Sequence, residues 1–255
     1  MKLKERTILI TGGTSGIGLE LAKRLLKYSN TVIITGRDPS RLAELQTEFP
    51  GLKGIAGDLS DPDAIKALHD QMVRDFPTLD VLINNAGIMR NLKLREPRDL
   101  IDVTREVDVN LSAPIRMVQQ FLPHLLGRPD AAIINVSSGL AFVPFPAAPV
   151  YSAAKAGLHA YTIALRAQLA GTRVRVVELA PPGTDTKLFH GEFDKEVANV
   201  TPMTLQVLVD KALKGFANDR NEIRPGLANI LKILSRVTPD LIVKQMAKAS
   251  GYTGK

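Results

Sequence analysis

The chain has 255 residues, 45% of them hydrophobic and 23% charged, an ordinary globular balance in a length that suits one large α/β domain. It contains no cysteine, which excludes disulfides, a thiolate nucleophile and Cys-ligated zinc, and its four histidines are scattered, so no metal site is expected. The net charge of +7 comes from 33 Lys and Arg interspersed with 26 acidic residues among few aromatics, the pattern of a solvated surface that draws anionic small molecules rather than nucleic acid.

The opening MKLKERTILITGG passes from charges into a strand-like run without the pattern of a secretory signal. No apolar run approaches the ~20 residues of a membrane-spanning helix. A soluble, cytoplasmic protein is expected. Six β-branched runs then follow in chain order: RTILIT (6–11), TVIIT (31–35), LKGIAG (52–57), DVLINN (80–85), AAIINVSS (131–138) and RVRVVEL (173–179). Most are apolar on both faces, as parallel strands covered on each side by helices are. Between them Asp38-Pro39 and Asp61-Pro62 each place a carboxylate cap before a proline at the first helical position, and Ile17, Leu21 and Leu25 recur at helical spacing. The alternation predicts a single domain over 1–255, with a doubly wound sheet, right-handed crossovers and helices on both faces.

Ligands of such sheets bind beyond the carboxyl ends of the strands. After the first strand comes TGGTSGIG, in which Gly12, Gly16 and Gly18, with Thr14, Ser15 and Ile17 between and beside them, predict a tight turn opening a helix whose free N–H groups cradle a pyrophosphate. At the end of the second strand Gly36 stands where a carboxylate would bind the ribose hydroxyls of NAD, and Arg37 offers a guanidinium suited to a 2′-phosphate. NADP(H) is therefore favoured over NAD(H). A surface role for Arg37 is the bland alternative, and Asp38 reaches the ribose only if it is not spent as a helix cap. Asp58 and Leu59 follow the third strand, the aspartate placed either for an adenine amino group or for a turn. Asn85, Ala86 and Gly87 follow the fourth, small enough for close approach to a nicotinamide ribose, with Asn84 or Asn85 able instead to brace strand ends.

Ser138 closes the fifth strand, a proline-rich loop follows, and a helix is expected from around Tyr151, placing Lys155 on the same face one turn on. A phenol of ordinary pKa ~10 is a poor base at neutral pH. A neighbouring ammonium and the positive nicotinamide of an oxidised cofactor both favour the phenolate, which fits Tyr151 to take the proton of an alcohol as hydride leaves carbon, and to return it in the reverse direction. Taken singly, each of these residues is better explained by packing, capping or solvation. His159, one turn beyond Lys155, reads as a helix-surface residue, since nothing in the sequence pairs it with a carboxylate.

TGGTSGIG, NNAG, Asn110 in VDVNLSAP, Ser138 in INVSS and Tyr151 with Lys155 in YSAAK occur together in an order and spacing that resembles the short-chain dehydrogenases/reductases in their single-domain Rossmann form, over roughly residues 5–185. ELAPPGTDT resembles the branch related to the oxidoreductase of the D-alanyl-lipoteichoic acid operon. The resemblance implies a mostly parallel seven-stranded sheet. It also implies a small-molecule carbonyl or secondary alcohol substrate, and a homodimer or homotetramer built through the helices around 98–126 and 151–170. Tyr151 would be the general acid/base, Lys155 would lower its pKa and bind the nicotinamide ribose, Ser138 would hydrogen-bond the substrate oxygen, and Asn110 would hold a water in a proton relay. Pro181, Thr184 and Thr186 after the sixth strand would contact the cofactor, although Pro182 stands where the family commonly has glycine. Sugar-nucleotide epimerases and dehydratases share the Tyr–Lys pair but carry a different glycine spacing and a larger substrate domain, and non-enzymatic dinucleotide sensors tend to lose the pair.

Beyond Thr186, KLFHGEFDKEVANV (187–200) reads as a substrate lid, and Thr201-Pro202 as the start of a helix carrying Leu205, Leu208, Val209, Ala212 and Leu213. The closing segments LANILKILSRV and PDLIVKQMAKA are apolar and basic, suited to lying on a membrane, covering the pocket or packing between subunits, and their broad apolar faces favour packing.

Overall fold

The structure, a computed structural model, describes residues 2–193, 196 and 200–252. The six expected strands form where their β-branched runs lie: β1 (Thr7–Ile10), β2 (Thr31–Gly36), β3 (Leu52–Ala56), β4 (Leu79–Asn84), β5 (Ala131–Val136) and β6 (Val174–Leu179). A seventh, β7 (Glu222–Ile223), adds two residues to the edge, Glu178 opposite Glu222 and Leu179 opposite Ile223. The order is β3-β2-β1-β4-β5-β6-β7, and every pairing is parallel. The order reverses between β1 and β4, which opens a crevice at their carboxyl ends.

Alternation along each strand sends side chains to two cores. Ile8 and Ile10 of β1 pack with Leu21 and Leu25 of α1 (Gly16–Leu26) and with Val209 and Phe216 of α8 (Leu205–Ala217). Leu9 packs on the other face with Leu68 of α3 (Pro62–Asp75), Phe121 of α5 (Ala113–Leu126) and Leu165 of α6 (Pro149–Gln168). Helix α2 (Pro39–Glu48) and α3 start at their Pro residues, and the carboxylates of Asp38 and Asp61 accept hydrogen bonds from first-turn N–H groups. Asp38 is thus used as a cap, which leaves Arg37 as the polar side chain turned to the cavity after β2.

Helix α4 (Leu100–Val107) runs into α5 through a π-helical turn at Asp108–Ser112 that carries Asn110. Helix α6 begins at Pro149, so Tyr151 lies in its first turn. Helix α8 begins at Leu205, not at Thr201-Pro202. The backbone of Met203 is taken up in a bridge to the segment after β6, bonding Gly183 O and Asp185 N, and Thr204 then caps the helix. Of the expected lid, Lys187–His190 form a short helix, α7, while residues 194, 195 and 197–199 lie outside the described residues. The closing segments are α9 (Leu227–Val237) and α10 (Pro239–Ala249). Among the described residues no helix is long and apolar enough to cross a membrane.

Candidate active site

A cavity of about 450 Å³ runs along the carboxyl ends of the strands from the β1–α1 loop to α9 and α10. The loop is shaped by close approach. Gly12 has φ +64°, and a Cβ there would stand 2.7 Å from the Cα of Ala86 at the end of β4. Gly18 packs beneath the loop, where a Cβ would stand 2.4 Å from Asn85 Nδ2 and 2.6 Å from Gly12 O, so it serves loop packing and does not line the cavity. Thr14, Ser15, Gly16 and Ile17 do line it. Ser15, the residue before α1, makes no side-chain cap, unlike Asp38 and Asp61, so the first-turn N–H groups of α1 are left for an external acceptor. A pyrophosphate fits such a cradle.

The other residues expected at the cofactor lie along the same wall. Arg37, Asp58 and Leu59 follow β2 and β3, and Gly36 is required by packing, since a Cβ would meet Thr14 Cγ2 at 2.4 Å. Asp58 is also a turn residue: its carboxylate accepts from the N–H and hydroxyl of Ser60, and these bonds, with the charge of Arg37, hold its pKa below the usual carboxylate value despite partial burial. Asn85, Ala86 and Gly87 line the middle, where Asn85 donates to Thr11 O and Gly12 O and so braces the loop against β4. Asn84 reaches sideways to Asn135 on β5. Pro181, Pro182, Thr184 and Thr186 close the far side, Thr184 donating to Pro182 O and Thr186 capping α7.

Ser138, Tyr151 and Lys155 meet at the waist of the cavity. The Ser138 side chain hydrogen-bonds the Tyr151 phenol. Lys155 is almost fully buried, donates to Val136 O at 2.9 Å, and places Nζ 5.7 Å from the centre of the Tyr151 ring. Burial governs both groups, since a low-dielectric setting disfavours whichever form is charged. It pushes the phenol up to about 12, against the bond from Ser138, and brings the ammonium down to about 8. Burial thus raises the Tyr151 phenol, opposite in direction to the lowering expected from Lys155. Asn110 is fully buried and does not line the cavity; its carboxamide accepts from Ile88 N and donates to Ile88 O, which holds the chain after β4 against the helix. A Cβ on Gly87 would lie 3.0 Å from Asn110 Oδ1 and 3.6 Å from Lys155 Nζ, so glycine there lets the two side chains converge.

Two clusters were not anticipated. Glu106 is 1% exposed, one turn before Asn110; its Oε1 accepts from Arg90 N at 3.0 Å, and its Oε2 is buried without a hydrogen-bond partner among the described residues. Burial raises its pKa to about 7, and its charge opposes ionisation of Tyr151. Arg90 itself is committed by a two-pronged pair to Asp102, whose pKa it and Arg98 hold down to about 2. The i−4 spacing of an acid before Asn110 is the signal that would have found Glu106. The second cluster overturns the reading of His159 as unpaired. Its Nδ1 lies 2.7 Å from Oε2 of Glu178, a fully buried residue of β6 whose other oxygen accepts from Ser137. A glutamate inside the apolar run RVRVVEL needs such partners. With Glu222 these groups form a His–Glu–Glu cluster, in which the Glu222 carboxylate is held by Arg224 and Lys232.

Comparison with known proteins agrees with this geometry. The sequence pattern of the short chain dehydrogenase family matches residues 6–197. The chain belongs to the short-chain dehydrogenases. It is 39% identical to the uncharacterized oxidoreductase DltE of Bacillus subtilis over 96% of this chain and 98% of that one, which agrees with the branch suggested by ELAPPGTDT. Among solved structures it is similar to a short-chain dehydrogenase of Burkholderia cenocepacia in complex with NADP (TM-score 0.82, 25% identity, 96% of this chain and 99% of that one). It is also similar to 3-ketoacyl-(acyl-carrier-protein) reductase of Brucella melitensis complexed with NADH (TM-score 0.76, 28% identity, 84% and 91%). This short-chain dehydrogenase is accordingly an NAD(P)-dependent oxidoreductase, and both nicotinamides occur among the proteins it resembles.

Proposed function

We propose that the protein is an NADP(H)-dependent oxidoreductase that interconverts a carbonyl compound and a secondary alcohol. One observation carries the reading: Tyr151, Ser138 and Lys155 converge at the waist of a single cavity whose one end is an uncapped glycine-rich helix start. The β1–α1 loop would hold the pyrophosphate and Arg37 the 2′-phosphate, and a bound nicotinamide supplies or accepts the hydride. Burial keeps the proton on Tyr151 at neutral pH, the form that donates to a carbonyl oxygen as negative charge builds on it. Ser138 fixes the phenol and is placed to hydrogen-bond the same oxygen. Lys155, charged at neutral pH, stabilises the phenolate left behind and is placed for the nicotinamide ribose. Asn110 keeps one N–H and one acceptor site beyond its bonds to Ile88, enough to hold a relay water. The same reading makes the protein a cytoplasmic homodimer or homotetramer, with exposed Leu100, Ile101 and Leu126 on α4 and α5 as candidate covered faces.

The test compares wild type with Tyr151→Phe on a panel of carbonyl compounds, following NADPH oxidation, with NADPH fluorescence as the binding control. The variant is expected to lose ~10²–10⁴-fold in turnover while still binding NADPH. Equal rates for the two proteins, or binding without turnover by wild type on any substrate, would remove the reading.

A further inference from the structure

The two ends of the cavity differ in chemistry. Past Tyr151 the wall is made by Leu140 and Phe145 after β5, Leu227 and Leu231 of α9, Met246 of α10, and Val200. Glu196 at this end is an acid, held by Asn91 at 2.8 Å. Of the cations that line the cavity, Arg37 follows β2, Lys187 follows Thr186, which packs beside Gly16 of the β1–α1 loop, and Lys155 stands at the waist. Among the described residues this end therefore offers apolar surface and a negative charge, while the cations of the cavity stand at its waist and beside the cofactor loop.

The wall is also braced. Leu231 packs with Val143 and Ile242, and Met246 packs against the Phe145–Tyr151–Phe193 cluster. Helix α9 approaches Gly139, where a Cβ would lie 3.4 Å from Ala228 Cα, and Lys232 ties it to the sheet edge through Glu222. An apolar pocket of fixed shape takes its affinity from the apolar area it removes from water, and it penalises a charge that it cannot pair.

We propose that the substrate is a neutral, apolar ketone, or the matching secondary alcohol, whose hydrocarbon body lies against α9 and α10, and that this helix pair rejects a carboxylate at the far end of that chain. The inference rests on the oxidoreductase reading above. In the reduction the ketone carbon gains hydride from NADPH, its oxygen gains a proton from Tyr151, and solvent returns that proton, so that alcohol and NADP⁺ leave.

The experiment uses the 2-alkanones from 2-butanone to 2-decanone beside oxo acids of equal length whose carboxylate stands at the end of the chain away from the carbonyl. NADPH oxidation is followed, and thermal stabilisation of the protein by each compound is measured separately. The value of kcat/KM is expected to rise about fourfold per methylene until the pocket is filled. Each oxo acid should be at least about tenfold poorer than its matched ketone, as one unpaired buried charge demands. Leu227→Arg, at a half-exposed position that tolerates the change, should flatten the ketone series and narrow that gap. A flat series in the wild type, or oxo acids preferred, overturns the inference. Stabilisation that grows with chain length but without turnover of any ketone would sink the oxidoreductase reading and keep the apolar site; stabilisation that is absent or independent of length sinks the site.

Discussion

The cofactor end and the substrate end of one cavity are built by different means. The cofactor end is made of backbone: glycines that let the β1–α1 loop lie against β4, an uncapped helix start, and short side chains at strand ends. The substrate end is made of side chains from α9 and α10, elements far from the strands in sequence and joined to them by Phe142, Lys232 and Glu222. A backbone site tolerates almost no added atoms, whereas a side-chain wall can be recut one residue at a time. The sharpest way to break this contrast is Gly12→Val. The new Cβ would stand 2.7 Å from Ala86 Cα in a left-handed backbone conformation, so the loop must move. We expect NADPH affinity to fall more than about 100-fold, and stability by about 2–5 kcal/mol. A substitution at Leu227 should leave NADPH binding within about twofold, since nearly half of that side chain is exposed and it lies at the other end. Fluorescence titration and thermal melts of both variants decide it; comparable losses of NADPH binding would dissolve the distinction.

The same contrast explains what could be read from the chain. Strand runs, Asp-Pro helix starts and the glycine loop follow from local patterns of period, capping and turn chemistry, and they stand where those patterns place them. Helix α8 starts later than Thr201-Pro202 signals because Met203 spends its backbone on a long-range bridge to Gly183 and Asp185, which no local pattern announces. His159 looks unpaired in the sequence because its partner, Glu178, lies 19 residues away on β6 and meets it only once α6 packs on the sheet. Glu106 carries no local mark for a related reason: its burial depends on the segment after β4 folding over it through Arg90. Local chemistry marks the backbone half of the site, and tertiary packing decides the side-chain half.

Arg37 tests a polar contact within the cofactor end. Its guanidinium lines the cavity, and its charge acts on Asp58 across the mouth. If it receives the 2′-phosphate, Arg37→Ala should weaken NADPH about 10- to 100-fold, the cost of one charge-assisted contact, and leave NADH unchanged. Parallel titrations with the two nicotinamides measure this. Equal weakening of both, or of neither, would return Arg37 to the role of a surface arginine and leave cofactor preference to other residues.

The smallest effect belongs to Glu106, buried in α4 beneath the backbone of Arg90. Its carboxyl has an ordinary value of 4.5 and is raised to about 7 by burial. The folded protein therefore holds a proton that the unfolded chain releases, so the stabilising contribution is complete below the unfolded value and is lost as pH rises through the folded one. Glu106→Gln keeps an acceptor for Arg90 N and cannot ionise. Melting temperature of wild type relative to the variant should decline between about pH 5 and pH 8, and the two curves should run parallel at higher pH. Because an ionised Glu106 also opposes the phenolate of Tyr151, the variant's alcohol-oxidation rate should begin its rise at lower pH than that of wild type. A purely structural residue would shift stability alone. Identical pH–rate profiles in the two proteins would therefore separate Glu106 from the chemistry of Tyr151, whatever the melting curves show.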